Sequence, residues 1–273
     1  MGKTKRLVTL TAGRLVHAVC YTQAMPVDGP RERAKKAQFS SEARKRMNFR
    51  CSYEKLQLLT AANFCKRDLF VTLSYDDAHL PASRKAADAE AARFLRRFGD
   101  ARRRAGEPFK YIRSTQELTD DGGRRLHHHL VINAGAERRD YELIRSLWCC
   151  GGNIGIQQIC ASDHYQHDDF LELAKYLARE RDPDAPLTAV GARSWSGSRN
   201  LDKPVRESAL VDGNLTVEAP PGAFVLDTDE RRNEFGTFKY IKYLLPERAE
   251  KPAPIKRPVG RRNKAPPAAK PPG

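Results

Sequence analysis

Apolar and polar positions alternate along residues 69–75. Leu69, Val71, Leu73 and Tyr75 fall on one side and Phe70, Thr72 and Ser74 on the other, the two-residue period of a strand. Ahead of it, 6–21 reads as two short strands around Ala12-Gly13, and 41–64 as a helix with Ser41 at its N-cap. Beyond it the period changes. Across 84–106, Ala91, Phe94, Leu95 and Phe98 recur at the spacing of an amphipathic helix, with Arg93, Arg96, Arg97, Arg103 and Arg104 on the opposite side. Strands follow at 109–117 and 126–133, joined by Asp120-Asp121-Gly122-Gly123, whose composition suits a hairpin turn. Helices at 139–148 and 168–181 complete the pattern, the second with Asp169 and Glu172 as a capping box. This order predicts an α+β fold, a central antiparallel sheet with helices packed on one face.

Charge sharpens that picture. The 273 residues hold 49 Lys and Arg against 34 Asp and Glu, a net charge of +15, which favours a polyanionic partner. Residues 249–273 carry seven prolines and a net charge of +6 with almost no large apolar side chain, the composition of a disordered basic tail. The remaining +9 belongs to the part expected to fold, so the arginine side of 84–106 reads either as a solvated face or as a phosphate-binding stripe. No apolar run approaches the ~18 residues of a membrane span, and Thr9, Thr11 and Arg14 interrupt the start of the chain, so a cytoplasmic protein without a membrane partner is expected. Six scattered cysteines are too few for a disulfide framework and are expected to be reduced.

The stretch 126-LHHHLVIN-133 carries the candidate chemistry. In a strand, His127, His129 and Val131 point one way and His128, Leu130 and Ile132 the other. Imidazoles two residues apart are ~6.6 Å apart along a strand and can converge on one cation. Glu117, at the end of the preceding strand, is expected to share their face and complete a two-histidine, one-carboxylate set for Mn, Mg or Zn. A second reading, a zinc site built from Cys149, Cys150, Cys160, His164 and His167, lacks the paired spacing of such sites. On the 168–181 helix, Tyr176 lies at the polar edge of the apolar stripe, where it is either a packing residue with an exposed hydroxyl or a nucleophile.

These segments together resemble a known group. The succession 70-FVTLSY-75, Glu117, 127-HHH-129 and 176-YLAR-179, with 198-SRNLDKP-204 beyond it, resembles the rolling-circle replication initiators of the HUH endonuclease superfamily, in the replication-associated branch of bacterial plasmids and phages. The resemblance implies a ferredoxin-like palm at 41–245, preceded by an N-terminal β-hairpin extension at 1–40 and followed by the tail at 246–273. It implies that Glu117, His127 and His129 hold Mn2+ or Mg2+ and that Tyr176 is the nucleophile. Arg179 stands where the family usually has lysine; arginine keeps the charge but does not release a proton at ordinary pH.

The activity implied is site-specific nicking of single-stranded DNA at a replication origin through a 5′-phosphotyrosine bond, followed by strand transfer. Lys175 and the five arginines named above are the expected DNA contacts. Tyr240 and Tyr243 are candidates for a second tyrosine. No Gly-x-x-x-x-Gly-Lys-Ser/Thr motif occurs, so helicase and polymerase would come from the host. A relaxase or transposase of the same superfamily, and a non-catalytic nucleic-acid-binding protein, are the alternatives.

Overall fold

The computed structural model describes residues 4–22, 42–135, 139–159, 169–181, 195–233 and 236–246. Its strands are β1 (Lys5–Ala12), β2 (Leu15–Thr22), β3 (Leu69–Ser74), β4 (Tyr111–Leu118), β5 (Arg124–Ile132), β6 (Ile154–Gln158), β7 (Trp195–Gly197), β8 (Val205–Val211), β9 (Phe224–Asn233) and β10 (Gly236–Leu244). Its helices are α1 (Glu42–Asn63), α2 (Arg84–Arg104), α3 (Asp140–Leu147) and α4 (Leu171–Ala178), the last followed by a 3-10 turn, Arg179–Arg181. The expected Ser41 cap, the basic tail and Cys160, His164 and His167 lie outside the described residues.

The fold is α+β, as expected, but with two antiparallel five-stranded sheets in place of one. The first sheet runs β6-β3-β5-β4-β7 and the second β8-β1-β2-β10-β9. The hairpin expected as an N-terminal extension is the middle of the second sheet, because β10 pairs with β2 and β8 with β1 across most of the chain length. Its turn packs on α1: Gly13 has a φ of 57°, and a Cβ there would stand 2.7 Å from the Ala61 carbonyl oxygen. Only glycine meets both conditions cheaply.

Helices cover both faces of the first sheet, not one. Val71, Leu73, Leu130 and Ile132 pack with Phe94, Leu95 and Phe98 of α2 and Ile144 of α3. Ile112 and Val131 point the other way and pack with Leu56 of α1 and Leu173 and Leu177 of α4. The reason is legible in β5, where Leu130, Val131 and Ile132 follow without a polar break, so each face of the strand carries apolar surface to bury. The 198–204 stretch ties the start of β4 to the end of α1. Asn200 Nδ2 donates to the Phe109 carbonyl at 3.0 Å, and the Asp202 N–H donates to Asn63 Oδ1 at 2.8 Å.

Candidate active site

β3, β5 and β4 lie side by side, and the register sets their shared faces: Thr72 pairs with His129, Ser74 with His127, and across β5 Ser114 pairs with His129 and Gln116 with His127. Directly paired residues project from the same face. That face is the one α1 and α4 cover, and α4 stops short of closing it. The gap is a cavity of about 260 Å3 lined by Thr72, Ser74, His127, His129, Tyr176, Arg179, Asp120 and Arg125, among others.

The two outer histidines converge as the alternation predicts. Their Nε2 atoms stand 3.1 Å apart, and the Tyr176 hydroxyl is 3.1 Å from His129 Nε2. His127 Nδ1 lies 2.8 Å from the Arg125 carbonyl, which can only accept, so Nδ1 carries the proton and Nε2 keeps a lone pair. His129 Nδ1 is 3.1 Å from the Thr72 hydroxyl. Burial, with the charges of His127, Arg179 and His128, lowers the His129 pKa to about 2; burial and Arg179 also lower that of His127, against the backbone bond. Both rings are therefore neutral at physiological pH. Two neutral imidazoles with their outer nitrogens anchored and their inner nitrogens converging fit a divalent cation.

The carboxylate expected beside them is elsewhere. A β-bulge interrupts the pairing of β4 with β5 between Gln116 and Leu118. Counted back from the turn without a bulge, Thr115 would face His127 and Glu117 would share its side. The extra residue inverts that parity and puts Gln116 opposite His127. Glu117, left at the bulge, stands 3.6 Å from Arg84. Its N–H and that of Leu118 both donate to the buried carboxylate of Glu180. Arg84 in turn bonds Glu180 at 2.6 Å, so both carboxylates of this corner share one cation of their own, away from the histidines. Among the described residues, no group of three His, Cys, Asp or Glu side chains converges as a metal site.

Gln116, which the sequence pattern did not single out, does the holding at this point. Its amide donates to the Tyr176 carbonyl at 3.0 Å and its oxygen accepts from Arg179 Nε at 2.6 Å. Arg179 Nη1 donates to Asp120 and Nη2 to the Leu118 carbonyl, and its guanidinium lies 4.4 Å above the Tyr176 ring. It is thus a stacked positioning residue that fixes the tyrosine ring and places a cation against it. The Tyr176 hydroxyl also reaches Asp120, at 3.4 Å. Asp120, Arg125 and Thr72 also line the cavity; the sequence puts Asp120 in the hairpin turn and Thr72 on one face of its strand, but only the folded register brings them to the histidines. The expected capping box does not form: α4 begins after Phe170, whose φ is 54°, and Asp169 accepts from the Leu171 N–H.

The other predicted residues lie apart. Arg93, Arg96, Arg97, Arg103 and Arg104 are on α2, behind the sheet; Arg93 pairs with Glu90, and Arg103 with Asp100 at 3.0 Å. Lys175 is on α4 beside Tyr176 and bonds Glu172 at 2.9 Å. Tyr240 and Tyr243 are in the second sheet; Tyr240 donates to Asp227 at 2.6 Å and Tyr243 is buried in an apolar cluster. Cys149 is exposed and Cys150 buried, both with free thiols. No helix among the described residues is long and apolar enough to cross a membrane.

Searches among curated proteins and among solved structures each return no match. A family comparison does match, over residues 68–181, a span that runs from the start of β3 to the turn after α4 and contains both converging histidines and Tyr176. The matching family is described as replication-associated protein ORF2/G2P, and it is over this span that the chain is similar to it.

Proposed function

We propose that the protein nicks and rejoins single-stranded DNA at the origin of a replicating plasmid or phage, with Tyr176 as nucleophile. The observation that carries this reading is the convergence of the Tyr176 hydroxyl and the Nε2 atoms of two neutral histidines on one open cavity. A packing tyrosine has no need of that arrangement.

His127 and His129 would hold a divalent cation, Mn2+ or Mg2+. When bound, it supplies Lewis-acid polarisation of a phosphoryl oxygen. The rest is the work of the chain. Arg125, bonded at 2.8 Å to the Tyr75 carbonyl and paired at 2.8 Å with the exposed Asp77, lines the cavity, where a backbone phosphate would compete with Asp77 for its charge. Arg179 and Gln116 hold the Tyr176 ring so that its hydroxyl faces the cavity. The hydroxyl proton passes to Asp120. A bond forms between the tyrosyl oxygen and phosphorus as the bond from phosphorus to the 3′-oxygen breaks, and that oxygen takes a proton from solvent. One phosphodiester replaces another, so the linkage energy is conserved for rejoining or transfer. Helicase and polymerase would then act from the host. A relaxase or transposase would use the same chemistry on another DNA.

The test is an adduct assay. Protein, Mn2+ and an origin oligonucleotide labelled at its 3′ end are resolved on a denaturing gel. The wild type should carry the label, and Tyr176→Phe should bind the oligonucleotide yet form at least about 1,000-fold less adduct. An adduct that persists in the variant, or a nick without any adduct, would overturn the assignment of Tyr176.

A further inference from the structure

α1 has 22 residues, about 33 Å of helix, yet its buried residues, Leu56, Gln57, Leu58 and Thr60, all belong to its second half. The turns before them are exposed on nearly every side, and Met47 is 65% exposed. A helical segment exposed on nearly every side draws no stability from a packed face, and a short isolated one is marginal in water. Charge shows what such a segment suits. Over residues 42–55 there are five Lys or Arg and two Glu, a net charge of +3. Glu42 is paired with Lys45 at 2.6 Å, and Glu54 with both Arg50 and Lys242.

Position adds the second argument. The packed half of α1 lies against α4: Gln57 Nε2 donates to the Asp169 carbonyl at 2.8 Å, and Leu56 shares an apolar cluster with Leu173, Leu177 and Val131. Val131 is on the His127 and His129 side of β5. The projecting turns therefore start on the open side of the sheet, whereas the α2 arginines are behind it.

We infer that the first turns of α1 form a cationic arm that grips the phosphate backbone of the DNA being processed, through Arg44, Lys45 and Arg46. The inference rests on the proposed nicking reading for the identity of the polyanion. It replaces the α2 stripe as the main phosphate contact.

The full-length chain with Arg44→Gln, Lys45→Gln and Arg46→Gln together tests it, since glutamine retains helix propensity. Binding to single-stranded and duplex origin oligonucleotides is titrated against salt. The slope of log K against log salt should fall by about 2 to 3, at roughly 0.7–0.9 per phosphate released. The version with Arg44→Lys and Arg46→Lys should keep the wild-type slope. At saturating protein, the glutamine variant should still form the Tyr176 adduct at the same nucleotide. An unchanged slope overturns the arm. So does a variant that binds DNA normally but loses affinity for vesicles containing phosphatidylserine, which would make the arm a membrane contact. Loss of adduct in the wild type instead sinks the nicking reading, while the slopes still decide the arm.

Discussion

His128 and His129 are neighbours in one strand, and the two faces of the first sheet give them opposite surroundings. His128 is fully buried on the α2 side, with both ring nitrogens bonded to hydroxyls: Tyr75 at 2.6 Å and Thr115 at 2.9 Å. Thr115 gives its only proton to Asp88 at 2.6 Å, so it accepts from His128 Nδ1, and Tyr75 donates to Nε2. Every polar atom in that chain is satisfied, and nothing is left for a ligand. His129 has only one nitrogen occupied by the fold, at Thr72; the other opens on the cavity with His127 and Tyr176. Burial lowers the pKa of both rings, His128 to about 3 and His129 to about 2. Neutrality therefore does not distinguish a structural histidine from a functional one. What distinguishes them is whether the fold uses up both nitrogens.

The hardest test of the contrast is removal of the open-face rings. His127→Ala or His129→Ala should cut nicking by at least about 100-fold, far more than any accompanying loss of folded protein accounts for, and chelating the divalent cation should do the same to the wild type. Activity that survives chelation would leave the pair without its proposed ligand.

His128→Ala should behave in the opposite sense. It leaves the Tyr75 and Thr115 hydroxyls short of a partner and opens a cavity, for a loss of about 2–4 kcal/mol in denaturant unfolding. Nicking per folded molecule should stay within a few-fold of wild type. Equal catalytic loss from all three alanines would mean that the two faces are not independent.

The second sheet supplies a comparable buried histidine far from the cavity. Burial and Lys242 lower the His17 pKa from 6.5 to about 4, with Arg50 acting the same way and Glu54 and Asp227 opposing. The unfolded chain then binds the proton more readily than the folded one. Stability from this group is complete above pH 6.5 and is lost as pH falls toward 4, by roughly 3 kcal/mol at most. His17→Leu should flatten the stability profile in that window without changing nicking. A profile as steep as the wild type would place the acid sensitivity in other groups.

The smallest effect is expected behind the sheet. Replacing Arg93, Arg96 and Arg97 with Gln together should change DNA affinity less than about twofold, since these exposed side chains lie away from the cavity. A drop as large as that from the α1 arm would extend the DNA path around the molecule.

Much of the site can be read from the chain because it depends on local period. Alternation alone separates His128 from His127 and His129, and helical spacing alone puts Tyr176 at the edge of the stripe formed by Leu173, Ala174 and Leu177. Those rules need only the neighbours along the backbone. The α+β class, the β4–β5 hairpin and the amphipathic α2 follow in the same way. By contrast, no local rule reveals that β1 and β2 are completed by strands from beyond residue 200, since pairing between β2 and β10 depends on which surfaces remain uncovered once the rest has folded.

The bulge at Glu117 marks the limit most sharply. One extra residue in β4 turns Glu117 toward Arg84 and sets Gln116 opposite His127, and the same one-residue slip would reverse every side chain before it. The slip is held by Glu180, more than sixty residues later, whose buried carboxylate accepts from the two N–H groups that the bulge withdraws from the ladder. Sequence determined which residue types the strand offers and that two histidines share a side. Tertiary structure decided which residue of β4 joins them, because parity across a hairpin is set by hydrogen bonds to a distant helix end, and those exist only in the folded chain.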